Sequence, residues 1–199
     1  ADEPGNRSTD PKLAGVLARA AAGDGVAWHQ LVAMYSHRVF ALARSRVRDV
    51  DTAEEITQSV FATVAAKLGS GDYTEQGRFE QWLFRVAMNR VRDSIRRVRR
   101  RPTHADPSHL DTASAEERAT GTDLASLAAL RDAMSRLPDS DREVIELRHH
   151  GGLGFNQIAA LLDEPLGTLL ARHHRALKKL KSMIEAENAS SAQAREIAT

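Results

Sequence analysis

Apolar residues return at intervals of three and four along nearly the whole chain, the period of helices with one buried face. The first such stretch, about Pro11 to Ala22, is closed by Gly23, and a second opens after Asp24 with Trp28, Leu31, Val32, Tyr35, Val39, Leu42 and Ala43 on one stripe. Asp51 and Glu54 have the spacing that caps a third helix. Its inner face is Ile56, Val60, Phe61, Val64 and Leu68, and its outer face carries Glu54, Glu55 and Gln58. A loop from Gly69 to Arg78 with three glycines leads into a fourth helix, on which Leu83, Ala87, Val91, Ile95 and Val98 form the buried stripe.

The second half repeats the period in shorter pieces. Leu137-Pro138 ends one helix, Ser140 and Glu143 have capping-box spacing, and the helix they open runs to about His149, where Gly151 and Gly152 stop it. Ile158, Ala159 and Leu162 stripe a short helix broken by Asp163-Glu164-Pro165, because proline disfavours helical geometry in the residue before it. Proline suits the start of the next helix. From Leu166 onward, Leu169, His173, Leu177, Leu180 and Ile184 share a face, leaving Leu170, Arg172, His174, Arg175, Lys178 and Lys179 on the others. This is the pattern of a helix-turn-helix, whose last helix can enter a major groove. Short amphipathic helices with a solvated charged face occur in any small bundle. Between Pro165 and Lys181, however, the charges are Arg172, Arg175, Lys178, Lys179 and Lys181 with no acid among them, and a helix of one sign asks for an anionic partner.

With 199 residues, only 5% of them aromatic, and Ala, Leu, Arg and Glu abundant, the chain predicts an all-α protein of two small helical domains. The absence of cysteine excludes disulfides and cysteine-ligated zinc and fits a reducing compartment. No apolar run reaches the roughly 20 residues of a membrane span, and the start ADEPGNRSTD is unlike a secretory signal. A cytoplasmic protein without membrane insertion is expected.

The formal net charge of +1 conceals strong clustering. From Arg78 to Arg101 nine arginines stand against Glu80 and Asp93, a net of +7. The segment 102–123 reverses the sign, with five acids against Arg118 among prolines, serines and threonines, and reads as a flexible acidic linker. The expected organisation is therefore an N-terminal segment (1–23), a first domain (24–101), the linker (102–123), a second domain (124–187) and a frayed tail (188–199).

On the fourth helix, Trp82, Arg85, Asn89, Arg92 and Arg96 fall on a face of their own. A groove for single-stranded nucleic acid needs that mixture, since cations neutralise phosphates while aromatic rings stack on unpaired bases. Trp82 fits a packed core position equally well, and the sequence does not choose. Arg96, Arg97, Arg99, Arg100 and Arg101 repel one another unless an anion lies near, whether nucleic acid, an acidic protein surface or the acidic linker. The chain contains no phosphate-binding Gly-x-x-x-x-Gly-Lys loop, no His-Glu-x-x-His and no nucleophile elbow, so no catalytic site and no cofactor are expected. The pairs His149-His150 and His173-His174 are no metal site either, because adjacent helical side chains point about 100° apart.

Together these segments resemble the extracytoplasmic-function (ECF, group IV) sigma factors of the bacterial sigma-70 family. In the first half the likeness rests on Asp51-Thr-Ala-Glu-Glu-Ile-Thr-Gln-Ser-Val-Phe61 and on Trp82-Leu-Phe-Arg-Val-Ala-Met-Asn-Arg-Val-Arg-Asp93; in the second it rests on Leu137-Pro138, Arg142-Glu143, Ile158-Ala159 and Gly167-Thr168. The resemblance covers about Asp24 to Lys181, the linker excluded. It implies a first domain (region 2) that binds core RNA polymerase and melts the minus-10 element, and a second (region 4) that reads the minus-35 duplex of promoter DNA. By position it implies that Asp51, Glu54, Glu55, Gln58 and Phe61 bind polymerase. Arg78, Phe79, Trp82, Arg85, Asn89 and Arg92, with Arg96 and Arg97 beyond them, would face the melted minus-10 strand, and the Gly69 to Arg78 loop would line the pocket of an extruded base. Thr168, Leu170, Ala171, Arg172, His174, Arg175 and Lys178 would face the minus-35 duplex. Members of the family are commonly held inactive by an anti-sigma factor, though nothing in the sequence identifies one.

Two departures bear on this. The family usually has a basic residue and then serine where this chain has Leu170 and Ala171, so bidentate guanine reading from position 170 is impossible, while contact with a thymine methyl is not. The usual Ser-Tyr-Glu-Glu opening of the preceding helix is here Gly154-Phe155-Asn156-Gln157, and glycine is an acceptable N-cap. Two rival readings are a dimeric helix-turn-helix regulator that never touches polymerase and a polymerase-binding adaptor that has lost promoter reading.

Overall fold

The computed structural model describes residues 11–47, 49–100 and 121–197. Among these residues every regular element is a helix: α1 (Pro11–Ala21), α2 (Gly25–Arg46), α3 (Val50–Gly69), α4 (Phe79–Arg100), α5 (Gly121–Ser135), α6 (Asp139–His149), α7 (Phe155–Leu162) and α8 (Leu166–Ile197). The all-α reading therefore holds. The described residues fall into two compact units. One contains α1 to α4 together with residues 147–164, and the other contains residues 121–146 and 165–197.

In the first unit the expected stripes become the core. Leu31, Tyr35, Val39 and Leu42 of α2 are buried with Ile56, Val60, Phe61 and Val64 of α3 and with Leu83, Ala87 and Val91 of α4. Capping sets where the helices begin. Asp24 accepts from the N–H groups of Val26 at 2.8 Å and Ala27 at 3.2 Å. The cap of α3 is Asp49, which accepts from Thr52 N at 2.7 Å and from its hydroxyl. Asp51 lies inside the first turn, so the predicted Asp51–Glu54 cap is corrected by two residues. Aspartate is a favoured cap at either position, and only the backbone decides which is outside the helix. The Thr52 hydroxyl and N–H hold the Asp49 carboxyl below its ordinary pKa.

The buried stripe of α4 is broader than predicted at its start and shorter at its end. Phe84, Met88 and Ser94 join it, whereas Val98 is 65% exposed, because the helix outruns the elements it packs on. The predicted linker of 102–123 lies mostly outside the described residues, and its last positions belong to α5.

In the second unit, Ala133 of α5, Leu137, Ile145 of α6 and Ala176 and Leu180 of α8 form one cluster, flanked by Met134, Met183 and Ile184. Two expectations are corrected on α8. Leu177 is 41% exposed and Ala176 takes the buried place, since the true stripe runs 169, 176, 180. The helix also continues to Ile197 through the segment expected to fray, which is rich in alanine and free of glycine and proline. Ser140 is the second residue of α6 and not its cap, because the carbonyl of Pro138 already accepts from Arg142 N at 3.0 Å.

Candidate nucleic-acid interface

The segment from Ser70 to Arg78 is held at several points. Its backbone reverses at Gly71 (φ 73°) and Gly77 (φ 75°), a left-handed conformation that glycine adopts without strain. Lys67 pairs with Asp72 at 2.8 Å, and Tyr73 N donates to Lys67 O at 3.2 Å, which ties the entry of the loop to the last turn of α3. The Tyr73 ring then stacks on Trp82 with centroids 4.4 Å apart and planes at 30°. Phe79 stands edge-on to Tyr73 at 5.8 Å and to Tyr35 at 5.5 Å. Glu75 accepts from the Tyr73 hydroxyl at 2.6 Å. Burial, and then the Glu75 carboxylate, push the Tyr73 phenol far above its ordinary pKa.

Trp82 falls between the packed and the base-facing role. It is half-buried, with one face against Tyr73. Phe79 is fully buried beneath the pair and supports it without presenting a face of its own. Arg78, just before α4, and Arg85, Asn89, Arg92, Arg96 and Arg97 along it are all exposed. They are not all unengaged. Arg85 donates to the carbonyls of Ala160 and Leu161 at the end of α7, Arg92 lies 3.4 Å from Asn89 Oδ1, and Arg97 reaches Glu55 at 3.7 Å. Asp93, Arg96, Arg97 and Arg100 line an open groove of about 490 Å³.

The acids of α3 lie on the neighbouring helix and meet the arginines at the Glu55–Arg97 pair. Asp51, Glu54, Glu55 and Gln58 are exposed, and Glu54 and Gln58 line a second groove, about 410 Å³, with Ser36, His37 and Phe40 of α2. Phe61 does not share that surface. It is only 7% exposed and meets Trp28 edge-on at 6.3 Å, so it holds α3 against α2 from within.

On the helix-turn-helix segment, Gly154 N-caps α7 and donates through its N–H to Gln157 Oε1 at 2.8 Å, as the glycine reading anticipated. Asp163 ends α7 in left-handed geometry (φ 56°). In the turn between α6 and α7, Arg148 donates to Leu153 O at 3.0 Å and lies over the Phe155 ring. On α8 the residues Thr168, Leu170, Ala171, His174, Arg175 and Lys178 are exposed and Arg172 is half-buried. Leu166 and Leu170 are 39% and 42% exposed, giving the first turns an apolar outer surface beside the cations.

A polar hub in the first unit went unnoticed in the sequence. Glu80 was visible only as an acid offsetting arginines. It pairs with Arg38 Nη1 at 2.7 Å and accepts from Gln157 Nε2 at 3.3 Å, while Arg38 also donates to the Gly151 carbonyl. Burial and the Glu80 carboxylate raise the Tyr35 phenol above its usual range. Partners separated by 42 to 113 positions leave no local spacing signal. Glu75 was missed as well, although an acid just ahead of a helix start is a recognisable sign.

Comparison with known proteins finds two consecutive family matches along the chain. The family description Sigma-70 region 2 matches residues 31–101, and Sigma-70, region 4 matches residues 133–182. The chain is 30% identical over 184 residues to the ECF RNA polymerase sigma factor BldN of Streptomyces coelicolor, covering 91% of this chain and 69% of that one. It is 31% identical over 179 residues to the ECF RNA polymerase sigma factor SigE of Mycolicibacterium smegmatis, covering 87% and 68%. Among solved structures, CnrH in complex with the cytosolic domain of CnrY superposes with a TM-score of 0.66 at 25% identity, over 87% of this chain and 97% of that chain.

Proposed function

This chain belongs to the ECF branch of the sigma-70 family of RNA polymerase sigma factors, and on that premise we propose how its surfaces divide the work of promoter recognition. The observation that carries the proposal is the separation of charge. Acids lie outward on α3 and arginines outward on α4, the two sets touching at Glu55–Arg97, and the exposed charges of α8 between Arg172 and Lys181 are all basic. Such separation lets one small protein hold a polymerase and nucleic acid at once.

In this reading Asp51, Glu54, Glu55 and Gln58 of α3 meet a basic surface of core polymerase, with the groove beside Phe40 taking an apolar side chain. Phe61 acts from beneath. The stacked Tyr73–Trp82 pair forms one wall of a pocket for a base drawn out of the minus-10 element, and Arg78, Asn89, Arg92, Arg96 and Arg97 follow its backbone. Arg85 joins them once it leaves α7. Thr168, Arg172, His174, Arg175 and Lys178 hold the phosphates and base edges of the minus-35 duplex. Leu170 and Ala171 add contact with thymine methyls, so reading at these positions relies on apolar contact and DNA shape. The protein works by binding and contributes no catalytic group. An inhibitory protein partner covering the polymerase-binding surface completes the reading, supported by the solved relative held by the cytosolic domain of a second protein. The place of action is the cytoplasm; among the described residues no helix is long and apolar enough to cross a membrane.

Three variants test the division in transcription with core polymerase. Glu54→Ala with Glu55→Ala should weaken core binding. Arg92→Ala should leave it intact, slow promoter opening and lower the logarithmic salt dependence of single-strand binding by roughly 0.7. Arg172→Ala should weaken only duplex binding. Equal loss of core binding in all three would refute the separation.

A further inference from the structure

We propose that Glu75 is a positioning residue for minus-10 recognition, holding Tyr73 in the stack that walls the base pocket; this rests on the pocket reading given above. Its carboxylate joins two parts of the loop, the Tyr73 side chain and the threshold of α4. Oε2 accepts from the Tyr73 hydroxyl at 2.6 Å, while Oε1 accepts from the N–H of Gly77 and from that of Arg78 at 3.1 Å. The second pair lies at the threshold of α4, where the Arg78 carbonyl already accepts from Trp82 N at 3.0 Å. Backbone N–H groups at a helix start favour an anion, and charge-assisted bonds are stronger and shorter than neutral ones.

The consequence for Tyr73 is attachment at both ends. Its backbone N–H is held by Lys67 O on α3, and its hydroxyl is held by Glu75 and through it by the start of α4. A tyrosine on a loop otherwise rotates freely about its first side-chain bond and offers a base no fixed surface. With both ends held, the ring stays 4.4 Å from Trp82, so the wall is formed before the base arrives. A prearranged site loses less freedom on binding and discriminates more sharply among bases that differ only in shape. Glu75 need not touch DNA to act in this way.

The test uses holoenzyme assembled from core polymerase and each variant, with run-off transcription from a promoter pool randomised through the minus-10 element. The readout is the ratio of products across bases, which general loss of stability does not alter. Glu75→Ala should flatten the preference at one position by roughly ten-fold, the worth of one charge-assisted hydrogen bond, with core binding unchanged. Glu75→Gln should keep most of the preference, because its Oε1 still accepts from both N–H groups and its Nε2 can donate to the phenol oxygen. Tyr73→Phe should reproduce much of the Glu75→Ala effect, and the two together should add little. Trp82→Ala separates this proposal from the reading beneath it. If Trp82→Ala changes base preference and Glu75→Ala does not, Glu75 has no positioning role. If neither changes it, the pocket reading itself fails. A uniform fall across all promoters in Glu75→Ala would mark a purely structural residue and overturn the proposal, and should that variant fail to fold, Tyr73→Phe alone decides by the same ratio.

Discussion

Arg85 on α4 donates to the Leu161 carbonyl at 3.3 Å, and the same Nη2 lies 3.2 Å from the carbonyl of Ala160. A cation placed by its sequence on a nucleic-acid face is thus held by the last turn of α7, where unpaired carbonyls favour positive charge. The two uses of this guanidinium exclude each other. In hydrogen–deuterium exchange, Arg85→Ala should therefore speed exchange in α7 and leave α3 unchanged. Minus-10 single-stranded DNA added to the wild-type protein should produce the same change, and unaltered exchange in both cases would deny the competition.

Gly151 is required by the space around it. A Cβ built there would sit 2.5 Å from the Leu147 carbonyl oxygen, which is backbone and cannot rotate away. Gly151→Ala should lower stability by about 1–3 kcal/mol, the usual cost of overpacking. Gly167→Ala, where a Cβ meets nothing within 4 Å, is the control and should be neutral or slightly stabilising. Thermal unfolding of the two variants compares them directly.

In α6 the wholly buried Glu146 is paired with Arg142 at 2.6 Å, one turn away. Removing the cation takes a charged partner from a buried carboxylate, so Arg142→Met should destabilise the fold, by at most about 3–5 kcal/mol. Replacing both, Arg142→Met with Glu146→Leu, should recover most of that loss, since apolar isosteres avoid the desolvation of two charges. Denaturant unfolding of the single and double variants measures the coupling. A double variant no better than the single would show that other partners hold the carboxylate.

Asp49 makes the start of α3 sensitive to acid. Its carboxyl titrates below the ordinary aspartate value when folded, so its contribution is complete above the unfolded value of about 3.9 and is lost as pH falls through the lower, folded one. Asp49→Ala should be less stable than wild type by roughly 1 kcal/mol near neutrality, a typical cap. The gap should close as the pH is lowered from 5 toward 3. A constant gap would mean that the cap works without its charge.

The residues that could be read in advance share one property, which is that their partners lie within a turn or within a periodic face. The α2 and α3 stripes, the glycine cap of α7 and the break at Asp163 all belong to this kind. Asp49 was displaced by Asp51 because both are favoured cap residues and only Asp51 has an acid three positions on. By position the resemblance gave Phe61 to polymerase and Phe79 to the melted strand, yet each turns inward against an aromatic partner supplied by a distant segment. Arg38, Glu80 and Gln157 were invisible for the same reason. Glu75 lies between these extremes: its backbone targets are two and three residues away, but the importance of Tyr73 appears only once Trp82 is seen beneath it.

The most direct test of the central claim is to mix the purified protein with bacterial core RNA polymerase and follow transcription from a pool of genomic promoter fragments in the same reaction. A sigma factor predicts tight binding to core and initiation from a restricted subset of fragments, with the subset altered by Trp82→Ala and by Arg172→Ala. Binding with no initiation would contradict the account and leave a polymerase-bound adaptor. Duplex binding with no affinity for core would contradict it more deeply, since the acidic surface of α3 would then have no partner of the kind proposed.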